Sequence, residues 1–250
     1  MPLRLNADAG ESYGPWVMGQ DEALMPYLDM ANLACGFHAS DPDTLRKSVR
    51  LATQHRVLIG AHPSYQDRVG FGRRSLACTP EEIENLMLYQ LGALSAFCAA
   101  EGTQLSYVKP HGALYHDMMQ HPHVFAAILK AVHRFDSRLP LVILATADSA
   151  SYQAQANEHG IELLLEAFAD RAYQENGFLA PRNLANSVYN DPGQILAQAH
   201  CFARGLPIQS LQGQPLRLQA DLLCVHGDNP ESLATVKAIR ELLDSLGEEA

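Results

Sequence analysis

Histidines, carboxylates and one lysine sit where short apolar runs of this chain end. His38, His62, His111 and His226 each follow such a run, as do Asp8 and Glu11, Lys109, Glu166 with Asp170 and Arg171, and Asp228. Carboxylates beside imidazoles permit general acid–base catalysis, worth roughly 10²–10⁴-fold. Asp8, His38 and His62 are also the candidate ligands for a divalent metal. Lys109 is the only lysine in these motifs, and can stabilise an oxyanion or hold a carboxylate or phosphate. The candidate catalytic residues are Asp8, Glu11, Lys109 and His111. The candidate substrate-binding residues are Asn6, His38, His62, Arg73, Glu166, Arg171 and His226. Each has a plainer account. Asp8 can form a turn, Glu11 can charge a helix start, and the histidines can bond backbone. Arg68, Arg73 and Arg74 can be a solvated loop face or an anion clamp, and Asp170 and Arg171 can pair to anchor a loop. Cys35 lies beside the candidate site, where a thiol can act as a nucleophile or as a small core hydrophobe.

The elements that must position these groups alternate. Strands are predicted near Leu3–Asn6, Met30–Ala34, Val57–Gly60, Leu105–Val108, Leu141–Leu144, Ile161–Leu165 and Leu222–Val225. Helices are predicted between most of them, with a small hairpin within Leu206–Gln219. Asp41 reads as a helix cap with Pro42 at the first helical position, and Thr79-Pro80-Glu81-Glu82 as a second helix start. The stretch Ser106–Tyr115, SYVKPHGALY, ends one strand in lysine and histidine and opens a helix-like segment after Gly112, and a further helix is predicted at Val124–Phe135. Two long loops, Gln66–Arg74 and Gln174–Asn190, suit a lid or binding role. Seven β-α repeats imply a parallel sheet with helical crossovers. Polar motifs after almost every strand favour a barrel over an open sheet, which concentrates them at one switch point. The expected fold is a single α/β domain over residues 1–250, a seven-stranded (β/α) barrel whose closure the sequence leaves open.

Composition narrows the class. The chain has 250 residues, 47% of them hydrophobic, and a formal net charge of -10. That balance disfavours nucleic acid and anionic membranes as partners, and no apolar run is long enough to span a bilayer. The five cysteines form no CxxC pair, which argues against a disulfide framework or a structural zinc site. No signal-peptide pattern opens the chain, so a cytoplasmic location is expected. HExxH, the P-loop and GxSxG are all missing, and Gly70-Phe71-Gly72 lacks the context of a dinucleotide fingerprint.

Six blocks together resemble the LamB/YcsF family of 5-oxoprolinase A subunits: LNADAGESYG, ANLACGFHASDP, IGAHPSYQDRVGFGRR, VKPHGALY, EAFADRAY and VHGDNP, in order from Leu5 to Pro230. The chain departs from that pattern at Arg4, where an acidic residue is common, at Ser40, where glycine is usual, and at Gln66, where proline is usual. The resemblance implies a barrel akin to glycoside hydrolase/deacetylase barrels. It also implies ATP-dependent opening of 5-oxo-L-proline to L-glutamate, with ATP as co-substrate and subunits B and C as partners. Without a P-loop, ATP either binds this chain by another geometry or is used by a partner. Two rival readings are a metal-dependent deacetylase or amidohydrolase, and a non-catalytic scaffold.

Overall fold

The computed structural model describes residues 3–225 and 230–248. Seven parallel strands close into a barrel: β1 (Arg4–Ala9), β2 (Met30–Ala34), β3 (Leu58–His62), β4 (Tyr107–Val108), β5 (Leu141–Leu144), β6 (Leu163–Phe168) and β9 (Leu222–Cys224). β1 pairs with both β2 and β9, so the ring has no open edge. The remaining strands, β7 (Ile208–Gln209) and β8 (Pro215–Leu216), form the expected small antiparallel hairpin. The helices are α1 (Asp21–Leu24), α2 (Pro42–His55), α3 (Pro80–Ala100), α4 (Gly112–Gln120), α5 (Pro122–Asp136), α6 (Ser149–Glu158), α7 (Pro192–Ala203) and α8 (Pro230–Glu248).

Local chemistry explains the boundaries. Asp41 accepts from the backbone N–H groups of Asp43 and Thr44 and caps α2. Thr79 and Glu82 form a reciprocal capping box at α3, with Pro80 in the first turn. Pro122 follows His121 and starts α5 immediately after α4, so the two helical segments expected after this strand are both present. Leu45, Val49 and Ala52 bury one face of α2.

Side chains alternate across a strand, so every second residue faces the barrel interior. The lower interior is an apolar cluster of Met30, Tyr107, Val142, Leu164 and Leu222. Two residues beyond Met30, Tyr107 and Leu164 the character changes. Asn6, Asp8, Asn32, His62 and Glu166 occupy strand positions themselves, and Lys109 follows β4 directly. This corrects the expectation that β1, β3 and β6 stop before their polar groups. Gly60 on β3 permits the crowding, since a Cβ there would overlap the Tyr107 ring. Tyr107 donates its hydroxyl to Asn32 Oδ1 at 2.8 Å.

Candidate active site

Lys109 is the hub of the upper interior. It is 3% exposed, and its Nζ lies 2.8 Å from Glu166 Oε1, 3.2 Å from Asn6 Oδ1, 3.4 Å from Asp8 Oδ1 and 3.3 Å from Cys224 Sγ. Burial alone would lower its pKa, but the surrounding carboxylates outweigh that and hold it well above the ordinary lysine value. Asp8 mirrors it. Burial raises its pKa, yet the imidazole of His62 and the Lys109 ammonium hold it well below the usual carboxylate range. Asn32 Nδ2 donates to both Asn6 Oδ1 and Asp8 Oδ1 at 2.8 Å, fixing the carboxylate. Tyr115, on the first turn of α4, donates to Glu166 Oε2 at 3.2 Å.

Three histidines stand beside this hub. His62 Nδ1 lies 2.6 Å from the Lys109 carbonyl, and its Nε2 lies 3.3 Å from Asp8 Oδ1 and 3.0 Å from His111 Nδ1. His111 Nε2 lies 2.9 Å from the Phe71 carbonyl. Burial pushes the His111 pKa down to about 3, so the ring is neutral near pH 7. His38 stacks on His111 with ring centroids 3.7 Å apart, and bonds Ser64 Oγ through Nδ1 and Glu11 Oε1 through Nε2 at 3.0 and 3.1 Å. Burial, then the neighbouring imidazoles, hold His38 well below its ordinary value.

The loops are scaffolding more than lids. In the first, Arg74 pairs with Asp67 and Arg68 donates to the Gly36 carbonyl, leaving Arg73 as the one of the three that lines the cavity. Gly72, at φ 65°, presses on His111: a Cβ there would come within 2.8 Å of His111 Cδ2. Its carbonyl accepts from Ala113 N–H at 2.8 Å. The second loop is held from outside by Arg171, which is 3% exposed and donates to the carbonyls of Ala180 and Ser187. Two buried glutamines fasten the loops to the helices. Gln90 of α3 exchanges bonds with the Ser64 backbone, and Gln198 of α7 donates to the carbonyls of Phe168, Ala169 and Arg171.

The cavity above the hub has about 840 Å³ of empty volume, its solvent mouth included. Asp8, Glu11, His62, Lys109 and His111 line it together with Arg73, His116, Phe168, Arg171, Leu179 and Arg182. Thus the structure gathers Asn6, Asp8, Glu11, His38, His62, Lys109, His111 and Glu166, with Arg73 and Arg171 at the wall. Arg171 is engaged with loop carbonyls, and Asp41 is a cap. His226 and Asp228 lie outside the described residues. Asn32, Tyr115, Cys224 and Arg182 escaped the motif reading. Asn32 was the most findable, as a polar residue facing inward in an apolar strand. Cys35 is buried and its thiol is pushed up to about 12 by burial, which leaves it unsuited to nucleophilic attack. Among the described residues, no helix is long and apolar enough to cross a membrane.

Comparison with known proteins gives the lineage. The 5-oxoprolinase A subunit from Chromohalobacter salexigens is 54% identical over 250 residues, covering 100% of both chains. The 5-oxoprolinase A subunit numbered 3 in Pseudomonas aeruginosa is 54% identical over 244 residues, covering 98% of this chain and 97% of that one. The crystal structure of a lactam utilization protein from Thermus thermophilus superposes with a TM-score of 0.91 at 43% identity, covering 99% of this chain and 98% of the other. The LamB/YcsF family model matches residues 3–250. With matches this extensive in sequence and in fold, the chain belongs to the LamB/YcsF family.

Proposed function

We propose that this chain is the ring-opening component of a cytoplasmic, ATP-dependent 5-oxoprolinase that converts 5-oxo-L-proline to L-glutamate together with subunits B and C. The observation that carries the reading is the cavity itself. An ionised carboxylate, Asp8, lines the same cavity as Arg73 and Arg182, in a chain 54% identical to proteins named as 5-oxoprolinase A subunits. A small lactam acid needs a cation for its carboxylate and a base for the attacking water.

The chemistry follows from the weakness of a lactam as an electrophile. ATP phosphorylates the ring carbonyl oxygen and departs as ADP. Water adds to the activated carbon, the C–N bond breaks, and the ring nitrogen leaves as the amine of γ-glutamyl phosphate. A second water releases phosphate and leaves L-glutamate. Asp8, held deprotonated, accepts the proton of the first water and returns it to the leaving nitrogen. His111 is neutral, so it serves as a lone-pair partner rather than the acid that a histidine beside the lysine suggests. Lys109 has at least as many partners as protons. It compensates Asp8 and Glu166 from below, and the substrate carboxylate falls to Arg73 and Arg182.

The test is ATP hydrolysis that depends on 5-oxoproline, measured with this chain alone and with subunits B and C added. Turnover should appear in the assembled complex and fall roughly 10²–10⁴-fold in Asp8→Asn. Normal turnover by that variant, with its fold confirmed by circular dichroism, would remove Asp8 from the chemistry.

A further inference from the structure

We propose that His62, His111, Asp8 and Glu11 form a binding site for one divalent transition-metal ion at the cavity wall. The argument begins with two protons. His62 Nδ1 lies 2.6 Å from the Lys109 carbonyl, and His111 Nε2 lies 2.9 Å from the Phe71 carbonyl. A carbonyl oxygen only accepts, so each of these nitrogens carries the ring's hydrogen. The other two nitrogens, His62 Nε2 and His111 Nδ1, are therefore the ones turned toward the site. They face each other at 3.0 Å. Two ring nitrogens at that distance need a proton or a cation between or beside them.

The surroundings fit a cation. Asp8 Oδ1 is 3.3 Å from His62 Nε2, and Glu11 Oε1 is 3.8 Å from His111 Nδ1. One ligand atom from each of the four residues lies within 4.8 Å of every other. Ligands about 2.1 Å from a common ion, at angles between square and tetrahedral, stand roughly 3.0–3.4 Å apart. The His62–His111 and Asp8–His62 pairs already hold that spacing. Two imidazoles with two carboxylates suit zinc, manganese or iron better than calcium or magnesium, which prefer oxygen alone.

The supporting contacts are those a metal site needs. Both rings are oriented by a carbonyl on the far nitrogen, and Asp8 by Asn32. Glu11 is oriented by His38 Nε2 at 3.1 Å. His38 is thereby a positioning residue behind Glu11, so the proposed set differs from the Asp8, His38 and His62 expected from the motifs. Charge also favours the ion: Lys109 already serves Asp8 and Glu166, and Glu11 adds a third carboxylate beside the histidines. All four proposed ligands line the cavity, so a bound ion would keep a position open to it. There it would polarise a carbonyl or activate a water.

The site is defined without reference to the substrate, and its test needs no turnover. Chelator-treated wild-type chain would be titrated calorimetrically with Zn²⁺ and with Mn²⁺, and its visible spectrum followed with Co²⁺. One ion per chain is expected, with mixed nitrogen–oxygen ligation. Affinity should fall at least ~100-fold in His62→Ala and in His111→Ala, and roughly 10-fold in His38→Ala. The proposal is overturned if the wild-type chain takes up no stoichiometric ion, or if folded His62→Ala and His111→Ala retain wild-type affinity. It is equally overturned if ¹⁵N spectra of the metal-free and metal-treated chain alike show one imidazolium whose proton bridges the two rings. Because wild-type uptake is itself decisive, a variant that fails to fold does not rescue the idea. A negative result would leave the ring-opening assay free to succeed.

Discussion

The lower and upper halves of the barrel interior are built on the same strands and made of opposite materials. Below, Met30, Tyr107, Val142, Leu164 and Leu222 pack as an apolar layer. Above, Asn6, Asp8, Asn32, His62, Lys109 and Glu166 meet through ion pairs and hydrogen bonds. On β6 the change takes one step of the pleat, from Leu164 to Glu166. The lower layer is stabilised by removal from water, which is undirected. The upper layer is held by charges that each require a partner, so deleting one member strands the others. The barrel therefore concentrates its least forgiving interactions where its chemistry is.

The sharpest way to break this contrast is Lys109→Met. It leaves Asp8 and the fully buried Glu166 without their ammonium, and unfolding by denaturant should show a loss of roughly 4 kcal/mol. A loss below about 1 kcal/mol would mean that the upper layer does not depend on charge compensation. Leu164→Ala probes the lower layer. Cavity formation should lower stability by roughly 3 kcal/mol, while turnover per folded molecule in the assembled complex stays near wild type. A matching drop in turnover would show that the two layers are not separable. Tyr107→Phe acts at their boundary. It removes the hydroxyl that serves Asn32 and should lower stability by about 1 kcal/mol.

The smallest effect lies outside both layers. The Arg74 guanidinium holds Asp67 at about 2, below the value of about 3.9 expected in the unfolded chain. The folded state thus binds this proton less readily than the unfolded one. The stabilisation is complete above the unfolded pKa and is lost as pH falls from about 3.9 through about 2. Asp67→Asn should flatten the acid limb of melting temperature against pH in that window and leave neutral activity nearly unchanged. An unaltered acid limb would show that the pair contributes nothing to acid stability.

Much of this architecture was legible in the residues. Caps at Asp41 and Thr79 marked two helices because their donors and acceptors are local in sequence. The seven strands were visible as apolar runs, but their upper ends were not. A period-two reading stops at a polar residue, whereas β1, β3 and β6 continue through Asp8, His62 and Glu166 because the barrel wants polar groups there. The site residues that escaped notice have distant partners. Gln90 holds a backbone 26 positions away, and Tyr107 reaches Asn32 across 75. Lys109 was located correctly as a site residue, but its partners were hidden. A motif shows that an ammonium is present, and only the closed barrel shows that Asn6, Asp8, Glu166 and Cys224 already surround it.

The missing side chain at Gly60 has a consequence for the electrostatics of the whole interior. The space it vacates lets the Tyr107 ring lie across the barrel beneath Asn32 and Lys109. The ring is buried beneath that layer and turns its one polar group up toward Asn32. Fields set up by Asp8, Lys109 and Glu166 are thus weakly screened from below. A single hydrogen atom in place of a methyl group separates the wet end of the barrel from the dry one.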